Sequence, residues 1–294
     1  STARLESDKA RALLVYLAVQ ADQAHRREAL IGLLWPEFPE ETARHNLRQA
    51  LFNLRKAIGD HTANPPYLLI TRDEIRFNPA SGYTLDLAEF DAQLAACESH
   101  AHPRLEACAV CAPRLQHAVE LYRGKFLQEF FLADSAEFEE WALARREATH
   151  QRALDALTHL ADYYEQHGDL AATRRCALRQ LEFDPWREQA HCQLMRVLML
   201  EGQRPAALAQ YETCRRVLAE ELGVEPSSET RELYEQIKAE GGRMKDEANK
   251  VSSFTPALRA GASVLHPSSL PVSLTPFIGR ERELAELGRL IAEP

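Results

Sequence analysis

A repeat constrains this chain more than any other feature. The stretches ADYYEQHGDLAATRRCALRQLEFDP and MRVLMLEGQRPAALAQYETCRRVLAEEL align when Gly168 is set over Gly202, a spacing of 34 residues. In each copy a helical pattern runs up to the glycine and a second one follows it; in the first copy Pro185 then precedes the next helix. Leu160 falls over Leu194 and Ala172 over Ala206, as packing positions should. Thr173 stands where a small Ala is the usual choice, and Ala207 restores it in the second copy. The last helix of that copy runs on through EELGVEP, so Pro226 arrives about two turns late. One such helix pair cannot bury its apolar face alone, so the copies must stack into an α-solenoid.

The period is that of tetratricopeptide repeats, and the pattern from 112 to 240 is helical throughout. Stacked helix pairs of this kind are interaction platforms far more often than enzymes. At 294 residues, two or three domains are expected. A hydrophobic fraction of 45% without a long uncharged apolar run predicts a soluble globular protein with no membrane span. The opening STARLESDKARALL leads straight into a helix rather than a signal peptide, the pattern of a cytoplasmic protein.

A second element stands out between Pro39 and Gly59, PEETARHNLRQALFNLRKAIG. Pro39 suits a first turn, Glu40 and Glu41 the positive end of the dipole, and Gly59 a C-terminal stop. Between Thr42 and Ile58 lie four cations, Arg44, Arg48, Arg55 and Lys56, and no acid. At about 100° per residue, Leu47, Ala50, Leu51, Leu54 and Ile58 share one stripe. His45, Gln49, Phe52 and Lys56 fall opposite, flanked by Arg48, Asn53 and Arg55. Such a helix suits a DNA major groove, where Gln and Asn pair with adenine edges and Arg with guanine or phosphate. The same face also fits an amphipathic surface helix with solvated cations, and the charge pattern alone leaves both readings open.

The flanking segments narrow the choice. DKARALLVYLAVQ (about Asp8 to Gln20) and RREALIGLLWP (about Arg27 to Trp35) read as helices before it. YLLITRDEIRFNP reads as a hairpin turning at Arg72-Asp73. Helix, helix, basic helix, hairpin is the order of a winged helix. Residues 1–96 therefore form a first unit, closed by the helical LDLAEFDAQLAAC. A net charge of −9 is the wrong sign for a general nucleic-acid binder, so the local charge of Thr42 to Ile58 must serve.

Residues 97–111, CESHAHPRLEACAVC, are short, polar and rich in Cys and His. Six cysteines without a secretory signature indicate thiols or metal ligands rather than disulfides. Cys97, His100, His102, Cys108 and Cys111 make a candidate structural zinc site. The two-residue gap between Cys108 and Cys111 lets both thiolates share one tetrahedral ion, with Cys97 and one histidine completing the set. A plain connector is the competing reading. Cys176, Cys192 and Cys214 fall in repeat helices as small core residues. Composition marks 241–272 as a linker, through Gly241-Gly242, scattered Ser and Pro256, Pro267 and Pro271.

LEFDPWREQAHCQLMRVLMLEGQRPAALAQYETCRRVLAEELGVEPSSETRELYEQI resembles the bacterial transcriptional activation domain found in regulators of antibiotic production and their larger relatives. LYRGKFLQEF (Leu121 to Phe130), followed by the Trp-bearing FEEWALARRE, carries the same resemblance, which covers about residues 7 to 240. It implies a mainly α protein: an OmpR-like winged helix with a β-hairpin wing, lacking its N-terminal strands, then a tetratricopeptide-like solenoid over 112–240. It further implies an activator that binds double-stranded DNA at promoter direct repeats, as a homodimer, and contacts RNA polymerase. Carried onto this chain, it assigns Arg48, Gln49, Phe52 and Asn53 to base contacts; Arg44 and His45 of the same helix join them as DNA-binding candidates. Arg55, Lys56 and the hairpin-tip Arg72 fall toward phosphate, with a minor-groove contact also open to Arg72. Phe52 departs from the small or polar residue usual there, and either touches a thymine methyl or packs on the wing. The loop Pro36 to Glu41 lies where OmpR-like proteins face polymerase.

The tail, residues 273–294, contains PFIGRERELAELGRLI, which resembles the opening of an NB-ARC-like NTPase module. The chain ends before a phosphate-binding loop, so no nucleotide site is expected in it. Nor does it carry H-E-x-x-H, G-x-S-x-G or a dinucleotide fingerprint, which argues against an enzyme. Two functions stay open: a DNA-binding regulator whose repeats serve dimerisation or signal input, and a repeat-based interaction module whose winged helix does not bind DNA.

Overall fold

The computed structural model describes residues 7–252, with side chains to residue 240. Helix α1 (Asp8–Val19) leads through a two-residue strand β1 (His25–Arg26) to α2 (Arg27–Leu34) and α3 (Glu40–Ala57). The hairpin β2 (Leu68–Ile70) and β3 (Glu74–Phe77) follows, then α4 (Asp86–Glu98) and α5 (Ala112–Leu121). The solenoid helices are α6 (Ala136–Gln166), α7 (Leu170–Phe183), α8 (Glu188–Leu200), α9 (Arg204–Glu221) and α10 (Ser228–Ser252).

The first core forms where the apolar stripes of the three short helices converge. Leu13 and Leu17 of α1, Leu30 and Leu34 of α2, and Leu47, Leu51 and Leu54 of α3 are buried together with Ile75 and Phe77 of the wing. The sheet is antiparallel in the order β1-β3-β2, with Leu68 opposite Phe77 and Ile70 opposite Ile75. β1 is too short to leave a periodic signal in the sequence. It pairs His25 with Ile75 and so clamps the wing to the entry of α2.

Two ends of α6 enter two different cores. Phe138 and Ala142 pack into the first core, whereas Ala153, Leu157, Leu160 and Ala161 lie in a second one. Trp141 completes the first junction, with its ring 4.9 Å from Tyr16 and 5.8 Å from Phe126. Lys9 adds a polar staple, since its ammonium reaches Asp134 Oδ1 and Ser135 Oγ, each at 2.7 Å. Leu87, Phe90, Leu94 and Cys97 of α4 pack with Leu115, Ala118 and Val119 of α5 in the second core. Packing therefore draws α4 toward the solenoid, whereas its position after the wing grouped it with the first unit.

The repeat is visible in backbone geometry. Gly168 and Gly202 adopt φ of +76° and +74°, the left-handed conformation that glycine takes without strain. At the first, Gly168 N–H donates to Glu165 O and Asp169 N–H to Tyr164 O; at the second, Gly202 N–H donates to Met199 O and Gln203 N–H to Leu198 O. Both are Schellman closures that satisfy the last helical carbonyls. Leu160 and Leu194 are buried as aligned, but Ala206 is exposed, and the second packing pair is Thr173 with Ala207. Thr173 fits because its hydroxyl donates to Asp169 O at 2.9 Å, leaving its methyl for the core. α9 has 18 residues against 14 in α7, about one extra turn, and Leu222 to Glu225 carry the chain on from its end to Pro226.

The C-terminal boundary differs from the composition-based one. α10 continues through Gly241-Gly242 to Ser252. RMKDEANK supplies mostly good helix formers straight after the glycines, against a cost of about 1 kcal/mol per glycine. The rest of the expected linker, 253–272, and the tail 273–294 lie outside the described residues. Among the described residues no helix is long and apolar enough to cross a membrane.

Candidate nucleic-acid interface

α3 begins at Glu40, with Pro39 O accepting the first helical bond from Ala43 N–H. It ends at Ala57, beyond which Gly59 sits at φ +70°. Its buried stripe is Ala43, Leu47, Ala50, Leu51 and Leu54, with Ile58 only partly covered. Arg44, His45, Arg48, Gln49, Phe52, Asn53 and Lys56 are exposed, and Arg55 is half-buried. The amphipathic division read from the sequence is thus the one the packing makes.

The exposed residues differ in their commitments. Gln49 Nε2 donates to Asn53 Oδ1 at 3.3 Å, so the two amides are paired on the exposed face. Arg44 is drawn to Glu40 at 2.5 Å and lies 3.9 Å from Glu28. Arg48 and Lys56 have no intramolecular polar partner among the described residues. Phe52 is 58% exposed and is neither in the first core nor among the residues packed against it. Arg55, expected to face phosphate, is instead held to Asp60 at the end of its own helix.

Asp60 is a residue whose role the sequence did not reveal. Its other oxygen accepts from Leu68 N–H at 2.9 Å, so one buried carboxylate joins the C-terminus of α3 to the first wing strand. A carboxylate just after a glycine stop was a visible signal, but its partner eight residues on was not. At the wing tip, Thr71 N–H donates to Glu74 O and leaves Arg72-Asp73 as the turn. Arg27 holds that turn from beneath, since its backbone N–H donates to Asp73 O at 2.9 Å and its Nη2 to Thr71 O at 3.0 Å. Arg72 is exposed there. An open groove between wing and helix is lined by Arg27, Arg44, Arg48 and Arg72 together with the acids Glu28, Glu41 and Asp73.

The Cys/His segment folds against the α4–α5 hairpin. His100 Nδ1 lies 3.6 Å from Cys108 Sγ and 3.4 Å from Cys111 Sγ. His102 Nε2 is 3.1 Å from Cys97 O, and its Nδ1 is buried without a hydrogen-bond partner. Cys97, read from spacing as a ligand, directs its thiol to Cys111 O at 3.8 Å. Burial, with help from the Cys108 and Cys97 side chains, pushes the Cys111 thiol up to about 12. All six cysteines are free.

With this geometry in view, comparison with known proteins places the chain. EmbR of Mycobacterium tuberculosis H37Rv, a transcriptional regulatory protein, is 29% identical over 235 residues, 78% of this chain and 57% of EmbR. The chain thus spans little more than half of that relative. The regulatory protein AfsR of Streptomyces coelicolor is 28% identical over 296 residues, 97% of this chain but 27% of AfsR. DnrI of Streptomyces peucetius is 26% identical over 238 residues, 78% of this chain and 83% of DnrI. The solved structure of M. tuberculosis EmbR with a low-affinity phosphopeptide superposes with a TM-score of 0.61 at 25% identity, over 85% of this chain and 65% of that one. The bacterial transcriptional activator domain matches residues 85–238, from the approach to α4 into α10. That is more than half of the sequence, and the chain belongs to this family.

Proposed function

We propose that this chain is the DNA-binding part of a transcriptional activator, reading double-stranded DNA with the outer face of α3 and bracing on phosphate with the wing. The observation that carries the reading is the exposure of Arg48, Gln49, Phe52, Asn53 and Lys56 on a helix whose opposite stripe is packed into the core. Arg48 and the Gln49–Asn53 amide pair read base edges, while Lys56 and Arg72 contact the backbone. His45 and Arg44 stand one turn nearer the acidic start of the helix and act at the edge of the footprint. The acidic loop Pro36 to Glu41, with Phe38 43% exposed, is the surface offered to RNA polymerase. Two chains occupy adjacent direct repeats, and the solenoid carries the contact between them or the input signal.

Selection of preferred duplexes from a random pool, followed by binding at several salt concentrations, tests this reading. A sequence preference is expected that shrinks to a uniform residue of binding when Arg48 is replaced. Equal retention of selected and random duplexes by the unaltered chain would return it to the class of interaction modules.

A further inference from the structure

The Cys/His segment does not take part in the proposed DNA contact, and its geometry has a meaning of its own. Zn–S of about 2.3 Å and Zn–N of about 2.0–2.1 Å at tetrahedral angles put sulfur and nitrogen about 3.5 Å apart. His100 Nδ1 stands at 3.6 and 3.4 Å from Cys108 Sγ and Cys111 Sγ, two edges of such a tetrahedron. One ligand atom from each of His100, His102 and Cys111 lies within 4.8 Å of the other two. His102 supplies the most telling atom. Its Nε2 is positioned to donate to the Cys97 carbonyl, which fixes the tautomer with a lone pair on Nδ1. That Nδ1 is buried and has no partner in the protein. A buried acceptor without a partner, on a ring grouped with the Cys111 thiol and the His100 imidazole, is costly unless something electrophilic sits beside it.

We propose that His100, His102, Cys108 and Cys111 bind one structural Zn²⁺, which ties the end of α4 to the start of α5. Thiolate with imidazole favours zinc over harder cations such as magnesium or calcium. Binding displaces one proton from each of the two thiols, and both protons go to solvent. The Cys97 carbonyl orients His102 from behind, and the Cys97 thiol, turned to Cys111 O, stays outside the coordination sphere. Arg114 Nη1, donating to Ala96 O at 3.0 Å, ties the same two helix ends beside the site. The segment 99–110 between those ends contributes no fully buried side chain, so the ion supplies order that packing does not.

The 294-residue chain, purified after growth with zinc, should contain one zinc per chain by elemental analysis. The Cys108→Ser/Cys111→Ser and His100→Ala/His102→Ala double variants should lose it, and Cys97→Ala should keep it. Replacing zinc by Co²⁺ in the unaltered chain should give the intense visible bands of a tetrahedral site with thiolate charge transfer in the near ultraviolet. That reading needs no variant to fold. A zinc-free chain under zinc-replete conditions, or a weak octahedral cobalt spectrum, would overturn the proposal. So would zinc that survives in the double-histidine variant or disappears from Cys97→Ala.

Discussion

Arg55 Nε lies 2.7 Å from Oδ2 of Asp60, a carboxylate whose side chain has no exposed surface. The pair closes the C-terminus of α3, while Oδ1 of the same aspartate holds the Leu68 N–H of the wing. Asp60→Ala leaves that buried N–H unpaired and should cost about 1–3 kcal/mol in urea unfolding. Arg55 is a third exposed, so its share of the loss is small. Asp60→Asn, which keeps an acceptor for Leu68, should cost less than Asp60→Ala. Equal stability of all three proteins would deny the clamp.

The engagement of Arg55 separates two cations that the sequence treated alike. Lys56→Ala should weaken binding to every duplex and lower the salt slope by about one, because one phosphate contact is lost. Arg55→Ala should leave that slope almost unchanged. Arg48→Ala or Asn53→Ala should cost about 1–3 kcal/mol on the preferred duplex and blur its sequence, with little effect on random DNA. Fluorescence anisotropy at several salt concentrations distinguishes the three outcomes.

Phe52 gives a test in which two assays should part company. A side chain that contributes to no core can be truncated at a stability cost within about 0.5 kcal/mol. Phe52→Ala should therefore melt like the parent while losing affinity for duplexes with thymine at the facing position. A large fall in melting temperature would show that the ring is part of the fold after all.

The two repeat glycines should respond in parallel. A side chain at Gly168 or Gly202 would have open space around it, so the penalty comes only from the positive φ. Gly168→Ala and Gly202→Ala should each cost about 1–2 kcal/mol of solenoid stability. Chemical unfolding followed by helical circular dichroism reads both.

His191 makes the solenoid sensitive to acid. Its Nε2 is 2.9 Å from Pro185 O and its Nδ1 accepts from Gln210 Nε2 at 2.6 Å, a pattern that only the neutral ring satisfies. Burial lowers its pKa, and the Pro185 carbonyl and Glu188 only partly oppose this. His150, buried beside Tyr122, is shifted the same way by burial first and Lys125 second. The unfolded chain then takes up protons near pH of about 6.5 that the folded chain refuses, so stability is full above that value and falls as the pH drops below it. Thermal unfolding from about pH 8 to about pH 5 should show this decline, and His191→Gln should flatten it.

How legible each part was depended on the distance between partners. α3, the hairpin and the glycine-marked repeat declare themselves through local periodicity and backbone demands, and these features stand in the structure where spacing puts them. β1 does not, because a strand of His25 and Arg26 has no period and exists only through its pairing with Glu74 and Ile75. Gln180 and Gln193 look like surface residues in a helical pattern, yet both are wholly buried. Gln180 Nε2 donates to Gln193 Oε1 at 2.8 Å, and Gln180 Oε1 accepts from Thr158. Spacing marks Cys108, Cys111 and the histidines as one short segment, but it could not show that the Cys97 sulfur turns to Cys111 O while its carbonyl faces His102.

α6 is continuous for 31 residues, about 46 Å, and its two halves are embedded in different cores. It acts as a shaft without a joint. Under the proposed function, a partner gripping the Leu160 end of the shaft would be joined by one unbroken helix to Trp141 and to the core on which α3 is seated.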